Sequence, residues 1–341
     1  VPDMGRKRRQ KQNPKKSLSP FEGVEGKLQQ AISLYQAGQL PQAEQRCQQI
    51  LRDFPQHADA LHLLGVIACQ VEEYKIATDL ISRALEIDSN QSQPQLAEMY
   101  NNLGNALLGQ GNLEESIQAY QQAIHLRPDY AVVYGNLGTV LQKQGKLEES
   151  IKAYQQVIHL QPDDVAGYSN LIFAQDFHLG IDLKEQQIER QKWNQRFILP
   201  LADSIQSHPN DRNPQRILRI GYVSADFRQH SAAQGFGQLI LNYNQTQFEV
   251  FCYSGVVKED KITKRFKDAA SGWYSTIGKS DKELVQRIRN DEIDILVDLS
   301  GHTSGNRLLA FGYKPAPIQV TGIGCCPPGV TTIDYRLTTP I

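Results

Sequence analysis

The sequence is poor in cysteine, in long apolar runs and in net charge. Five cysteines stand in 341 residues, an odd number with no CxxC pair. That excludes a disulfide-stapled secreted scaffold and leads us to expect a reducing, cytoplasmic setting. Adjacent Cys325 and Cys326 lack a second thiol or imidazole pair at ligand spacing, so no metal site is expected there. No apolar run approaches the roughly 18 residues of a membrane helix. The longest, from Leu61 to Val71, is broken by His62 and Gln70. No basic-then-apolar signal segment opens the chain, and no membrane partner is expected. With 40% hydrophobic and 21% charged residues, collagen-like, mucin-like and wholly disordered classes are excluded too.

The net charge of −1 hides an asymmetry. Arg6, Lys7, Arg8, Arg9, Lys11, Lys15 and Lys16 face only Asp3 in the first sixteen residues. Such an arm can touch nucleic acid or anionic lipid. It lacks aromatic and apolar residues, so residues 1–23 read as a solvated, disordered tail and nucleic acid is not an expected partner.

The first half is periodic. Tyr100-Asn-Asn-Leu-Gly104 recurs as Tyr134-Gly-Asn-Leu-Gly138, Ala119-Tyr120 as Ala153-Tyr154, and Pro128 as Pro162, each shifted by 34 residues. Tyr168-Ser-Asn-Leu171 opens another copy, and Leu61 to Gly65 with Ala77 and Ala84 fits the same frame. A 34-residue unit with this pattern is similar to the tetratricopeptide repeat. Leu103, Leu107 and Leu108 mark a first helix, Ile117, Tyr120 and Ile124 a second, at helical spacing. Pro128 and Pro162 end second helices because proline has no amide to donate. The spacing predicts units at 24–57, 58–91, 97–130 and 131–164 and a partial fifth, within a repeat domain of residues 24–180. Asn102, Asn136 and Asn170 recur on first helices. An asparagine amide can hydrogen-bond a peptide backbone whatever its sequence. These three are therefore candidate peptide-binding residues for a protein or peptide acceptor on the concave face, with a plain surface role as the alternative. Leu63 occupies the equivalent place in the second unit, which shortens the row.

Residues 181–215 read as a linker. Asp182 to Ile205 predicts an amphipathic helix with Leu183, Ile188, Trp193, Phe197 and Leu201 on one side, followed by a turn-rich loop. From residue 216 to 341 the pattern changes to strands alternating with helices. Strands are predicted at Ile217–Val223, Phe248–Tyr253, Ile293–Leu299 and Ile318–Thr321, with a short one at Trp273–Tyr274. Such alternation implies a parallel sheet covered by helices, which binds ligands at the carboxyl ends of its strands.

Two loops fall there. Ser224-Ala-Asp-Phe-Arg-Gln-His230 places a histidine before a helix, suited to proton transfer or to hydrogen-bonding a sugar hydroxyl or phosphate. Ser300-Gly-His-Thr-Ser-Gly-Asn-Arg307 offers a glycine-rich backbone and polar donors. Neither GxGxxG nor GxxxxGK[ST] occurs.

Arg219 to His230, Phe248 to Tyr253, Asp294 to Leu308 and Pro315 to Val320 together resemble the O-linked N-acetylglucosamine transferase/SPINDLY-type glycosyltransferases, whose repeats also come first. The resemblance implies a Rossmann-like lobe forming the N-terminal half of a GT-B type catalytic region behind an all-α repeat superhelix. It implies transfer of N-acetylglucosamine from UDP-N-acetylglucosamine, or of fucose from GDP-fucose, to Ser or Thr of proteins, without a metal. It makes His230 a catalytic candidate and Gly301, His302, Thr303, Arg307 and Gly324 substrate-binding candidates. The family's second Rossmann-like lobe does not follow within the 341 residues, and the stretch from Gly322 to Thr332 departs from its pattern. The chain by itself is therefore expected to be inactive, with nucleotide-sugar bound only alongside a second lobe. A repeat scaffold without catalysis is the alternative.

Overall fold

The computed structural model describes residues 20–87, 92–213, 215–322 and 327–337. Most of the expected basic tail, together with Gly324, Cys325 and Cys326, lies outside them. Among the described residues no helix is long and apolar enough to cross a membrane. The chain divides into two compact units, residues 1–133 and 134–341.

The first unit is a series of helix pairs: α1 (Pro20–Gln36) with α2 (Leu40–Asp53), α3 (Ala58–Gln70) with α4 (Tyr74–Ile87), and α5 (Gln93–Gln110) with α6 (Leu113–Leu126). Pro20 to Gly23, read from sequence as tail, belong to α1. The repeat signature has a steric cause. A side chain at Gly104 would meet the Tyr120 ring at 2.5 Å, and Tyr120 is fully buried. The Ser116 hydroxyl donates to the Gly104 carbonyl at 2.8 Å, and the Tyr120 hydroxyl to Asn105 Oδ1 at 2.7 Å. Glycine thus lets an aromatic ring of the second helix lie directly on the backbone of the first. Gly65 and Ile81 repeat the contact at 2.6 Å. Gly111 ends α5 in the left-handed region at φ 83°, its amide donating to the carbonyls of Leu107 and Leu108. Gly104→Ala is expected to cost about 1–3 kcal/mol, the range of core overpacking. Thermal melts check it, and an unshifted midpoint would mean that the ring is not held against the glycine.

The second unit begins within α7 (Ala131–Lys143) and continues with α8 (Leu147–Leu160) and α9 (Val165–Asp176). Gly138 takes the Tyr154 ring and receives the Ser150 hydroxyl at 2.8 Å, repeating the Gly104 arrangement. Next come α10 (Leu183–Trp193), a π turn at Asn194–Ile198 and a 3-10 turn at Leu199–Ser204. The predicted continuous amphipathic helix is therefore corrected. Leu183 and Ile188 are exposed, whereas Gln186, Arg190 and Trp193 are buried. Arg190 decides this rotation. Its guanidinium pairs with Asp176 at the end of α9, donates to the Gln186 carbonyl at 3.1 Å and reaches the Pro327 carbonyl at 2.7 Å.

The lobe then alternates β1 (Leu218–Ser224), α11 (Ser231–Leu241), β2 (Phe248–Ser254), α12 (Lys261–Ala269), β3 (Gly272–Ser275), α13 (Asp281–Asn290), β4 (Ile295–Asp298), α14 (Leu308–Gly312), β5 (Ile318–Thr321) and β6 (Tyr335–Arg336). All strand pairs are parallel, in the order β3-β2-β1-β4-β5-β6, the doubly wound order of a Rossmann sheet. The predicted strand Ile293–Leu299 is shorter. Asp294 turns back to pair with Arg216 and to accept the Arg219 amide at 2.9 Å. The two-residue β6 had no sequence signal.

Alternate residues of each strand pack on opposite faces. Val223, Tyr253 and Leu296 join Leu284, Ile288 and Phe311 on one side. Tyr222, Cys252 and Val297 join Phe227, Phe236 and Phe266 on the other. Ile172 of α9 and Trp193 belong to the first cluster, so the last repeat helix shares the core of the sheet.

Candidate active site

The carboxyl ends of β1, β2 and β4 carry three loops that meet at Ala225. A side chain at Gly255 would come within 3.2 Å of Ala225, and one at Gly305 within 2.8 Å. Only small residues at this junction let the loops close together. Between them lies a cavity of about 790 Å³, lined by Phe173, Asp226, Arg228, His230, Val257, Lys258, Glu259, Asp260, Thr303 and Ser304 among others.

The β1 loop is held from both sides. Phe227 is fully buried in an aromatic cluster, 5.6 Å from Phe236 and from Phe266 and 5.5 Å from Trp273. The Gln229 amide donates to Asp260 Oδ2 at 2.7 Å, while Asp260 Oδ1 caps α12 through Ile262 and Thr263. These backbone donors, Gln229 foremost, hold the Asp260 carboxyl below the usual carboxylate range. His230 caps α11, its Nδ1 accepting the Ala232 amide at 3.3 Å. A neutral ring in this pose carries its proton on Nε2. The buried Asp226 carboxylate lies 3.6 Å from the same Nδ1, just beyond hydrogen-bond reach.

The β4 loop is shaped from below by Asp298. Its buried carboxylate accepts the amides of Ser300 at 3.0 Å and Gly301 at 3.1 Å and the Thr321 hydroxyl at 3.0 Å. Burial pushes this carboxyl up, against those donors. Gly301 and Gly305 adopt φ of 55° and 76°, a region that favours glycine.

The structure brings two of the sequence candidates into one cavity, His230 and Thr303. Three others have inward partners. His302 is buried, its ring edge-on to Trp193 at 5.1 Å. The Pro328 carbonyl can only accept, so Nε2 donates to it at 2.8 Å and the Ser169 hydroxyl donates to Nδ1 at 3.1 Å. Arg307 is tied to Asp281 at 2.8 Å and to the carbonyls of Lys279 and Thr276. Gly301 shapes the loop and does not line the cavity. Gly324 lies outside the described residues.

Asn102 lies in the first unit, Asn136 and Asn170 in the second, all half-buried. The Asn102 amide donates to His62 Nε2 at 3.0 Å, and its carbonyl accepts from Asn101 at 3.3 Å. Burial lowers the His62 pKa. Sequence reasoning missed Asp226, Arg228, Phe173 and the Lys258–Glu259–Asp260 run. Asp226 and Arg228 stand inside the quoted histidine loop, and the charged run follows a strand, so both were within reach of the carboxyl-end rule. Among the described residues, no three His, Cys, Asp or Glu side chains are grouped to hold a metal ion.

Helical repeats leading into a doubly wound parallel lobe, with a histidine loop at the first strand's carboxyl end, have the architecture of a repeat-bearing GT-B half-lobe. Residues 198–341 match the glycosyl transferase family 41 model, and residues 28–92, 104–145 and 131–164 match tetratricopeptide repeats. The probable UDP-N-acetylglucosamine–peptide N-acetylglucosaminyltransferase SPINDLY of Oryza sativa subsp. japonica is 40% identical over 164 residues, 47% of this chain and 18% of that protein. The corresponding SEC protein of Arabidopsis thaliana is 36% identical over 123 residues, covering 36% of this chain and 13% of that protein. A solved O-GlcNAc transferase variant of Thermobaculum terrenum superposes with a TM-score of 0.60 at 29% identity, over 94% of this chain and 54% of the other. The chain thus spans less than a fifth of these curated relatives and about half of the solved enzyme.

Proposed function

We propose that this chain supplies the repeats and one catalytic wall of a protein O-glycosyltransferase, which moves N-acetylglucosamine or fucose from a nucleotide-sugar to Ser or Thr of a protein. The observation that carries this reading is the His230–Asp226 pair at the carboxyl end of β1, inside a cavity built by three sheet loops. In the reaction the acceptor oxygen attacks the anomeric carbon. The bond from that carbon to the diphosphate breaks, and the nucleoside diphosphate leaves with the electron pair. The hydroxyl proton passes to His230 Nε2 once the ring has given up the Ala232 amide and carries its proton on Nδ1, turned toward Asp226. Arg228, Lys258 and the α11 amino terminus favour the negative charge that develops, with no metal required. Holding acceptor and donor together provides much of the rate. The reading places the protein in a reducing, cytoplasmic compartment, supported by free Cys47, Cys69 and Cys252.

His230 is 38% exposed at this cavity, and in this reading a second lobe covers it. The 341-residue chain alone is therefore expected to give no transfer from UDP-N-acetylglucosamine or GDP-fucose to a serine peptide, and transfer is expected when a candidate second lobe is added. Calorimetry with both donors and a labelled-sugar assay check this. Turnover by the chain alone would remove the dependence on a second lobe. Peptide binding without transfer in either condition would favour a repeat scaffold, a reading supported by the His230 Nδ1 bond to its own helix.

A further inference from the structure

The polar cavity has an apolar rim that the transfer chemistry does not use. Phe173 of α9 lines it, half-buried, with its ring edge-on to Phe177 at 5.0 Å and 70°. Phe177 is 53% exposed. Val257, in the loop after β2, lines the same cavity and is 86% exposed. An aliphatic side chain so open to water, in the lining of the same cavity as Phe173, Arg228 and His230, marks a place where an apolar group would gain by leaving solvent.

The position of Phe173 narrows what that group belongs to. It sits on the last repeat helix one turn beyond Asn170, and residues three apart share a helix face. A peptide strand held by Asn170 would meet Phe173 on the same helix face, and Phe173 lines the cavity that holds His230. The charges lining the cavity are mixed, with Arg228 and Lys258 against Asp226, Glu259 and Asp260, so they favour neither sign in the strand. The apolar rim is the selective feature.

We propose that Phe173 and Val257 form an apolar jaw that selects acceptor peptides by an aliphatic side chain flanking the reacting Ser or Thr. This rests on the transferase reading and adds to it a basis for acceptor choice. The hydroxyl is common to every acceptor, whereas the jaw reads its neighbour. Phe173 and Val257 are specificity residues, since neither carries a group that can move a proton.

The test is fluorescence anisotropy on the full chain with three labelled peptides, alike except for Leu-Ser-Leu, Gly-Ser-Gly or Glu-Ser-Glu at the centre. The wild type is expected to bind the leucine peptide about tenfold tighter than the glycine peptide. Phe173→Ala and Val257→Ser are each expected to bring that ratio close to one and leave the glycine peptide unchanged, and Phe173→Leu to keep most of it. Val257 is exposed, so its variant reports on the jaw even if Phe173→Ala disturbs α9. An unchanged ratio in Val257→Ser and Phe173→Ala, or an equal loss for all three peptides, would overturn the jaw and leave the transferase reading standing. Absence of binding for every peptide would also overturn the jaw, while the transferase reading stands or falls on sugar transfer by the complemented chain.

Discussion

Replacing His230 by asparagine is expected to lower sugar transfer at least a hundredfold in the chain complemented by a second lobe, with little change in melting temperature. A positioned acid–base group contributes about 10² to 10⁴ in rate. Asparagine is a good helix cap and can still accept the Ala232 amide, the bond that His230 Nδ1 makes now. It cannot take up a proton. His230→Ala removes both functions and is expected to match the asparagine variant in rate while melting slightly lower. Asp226→Asn is expected to lower the rate less than His230→Asn, because it removes only the carboxylate beside Nδ1. Full activity in His230→Asn would reduce the histidine to a helix cap.

His302→Gln is expected to flatten the loss of stability on acidification. Burial, the largest cause, pushes the His302 pKa from 6.5 down to about 4. Below pH 6.5 the unfolded chain takes up a proton that the folded ring refuses. The stability present above pH 6.5 is therefore lost progressively as pH falls toward 4. At 1.36 kcal/mol per pKa unit the loss is about 3 kcal/mol. Urea melts of wild type and variant at pH 7 and pH 4.5 measure it. Glutamine can still donate to the Pro328 carbonyl and accept from Ser169, but it does not titrate. Equal acid sensitivity in the two proteins would contradict the assignment. The same geometry explains why a histidine that reads as a ligand in sequence works here as a brace. It links α9, the β4 loop and the segment at Pro328, and so holds the last repeat beside the cavity.

Much of the architecture was legible because it is periodic or locally coded. Gly104, Gly138, Tyr120 and Tyr154 recur at 34 residues because each glycine and its ring form one contact. The β1 strand is a buried run that ends at the His230 loop, so the histidine's place at the sheet's carboxyl edge followed from order along the chain. Side-chain direction was less legible. Leu183 and Ile188 belong to an apolar stripe, yet they face solvent because Arg190, far from Pro327 in sequence, takes the inward face. Thr303 and Arg307 share one polar loop, but only Thr303 lines the cavity, since Asp281 and two carbonyls bind the guanidinium elsewhere.

The sequence by itself determined the repeat period, the change to a parallel α/β lobe and the loop that bears His230. Those features depend on near neighbours and on the spacing of apolar residues. Only the tertiary structure decided that His302 is enclosed by Trp193 and Ser169, that Asp226 stands behind His230, and that Phe173 of a repeat helix opens into the same cavity as Val257. Each is a meeting of side chains from separate elements, and no local pattern encodes which of them will touch.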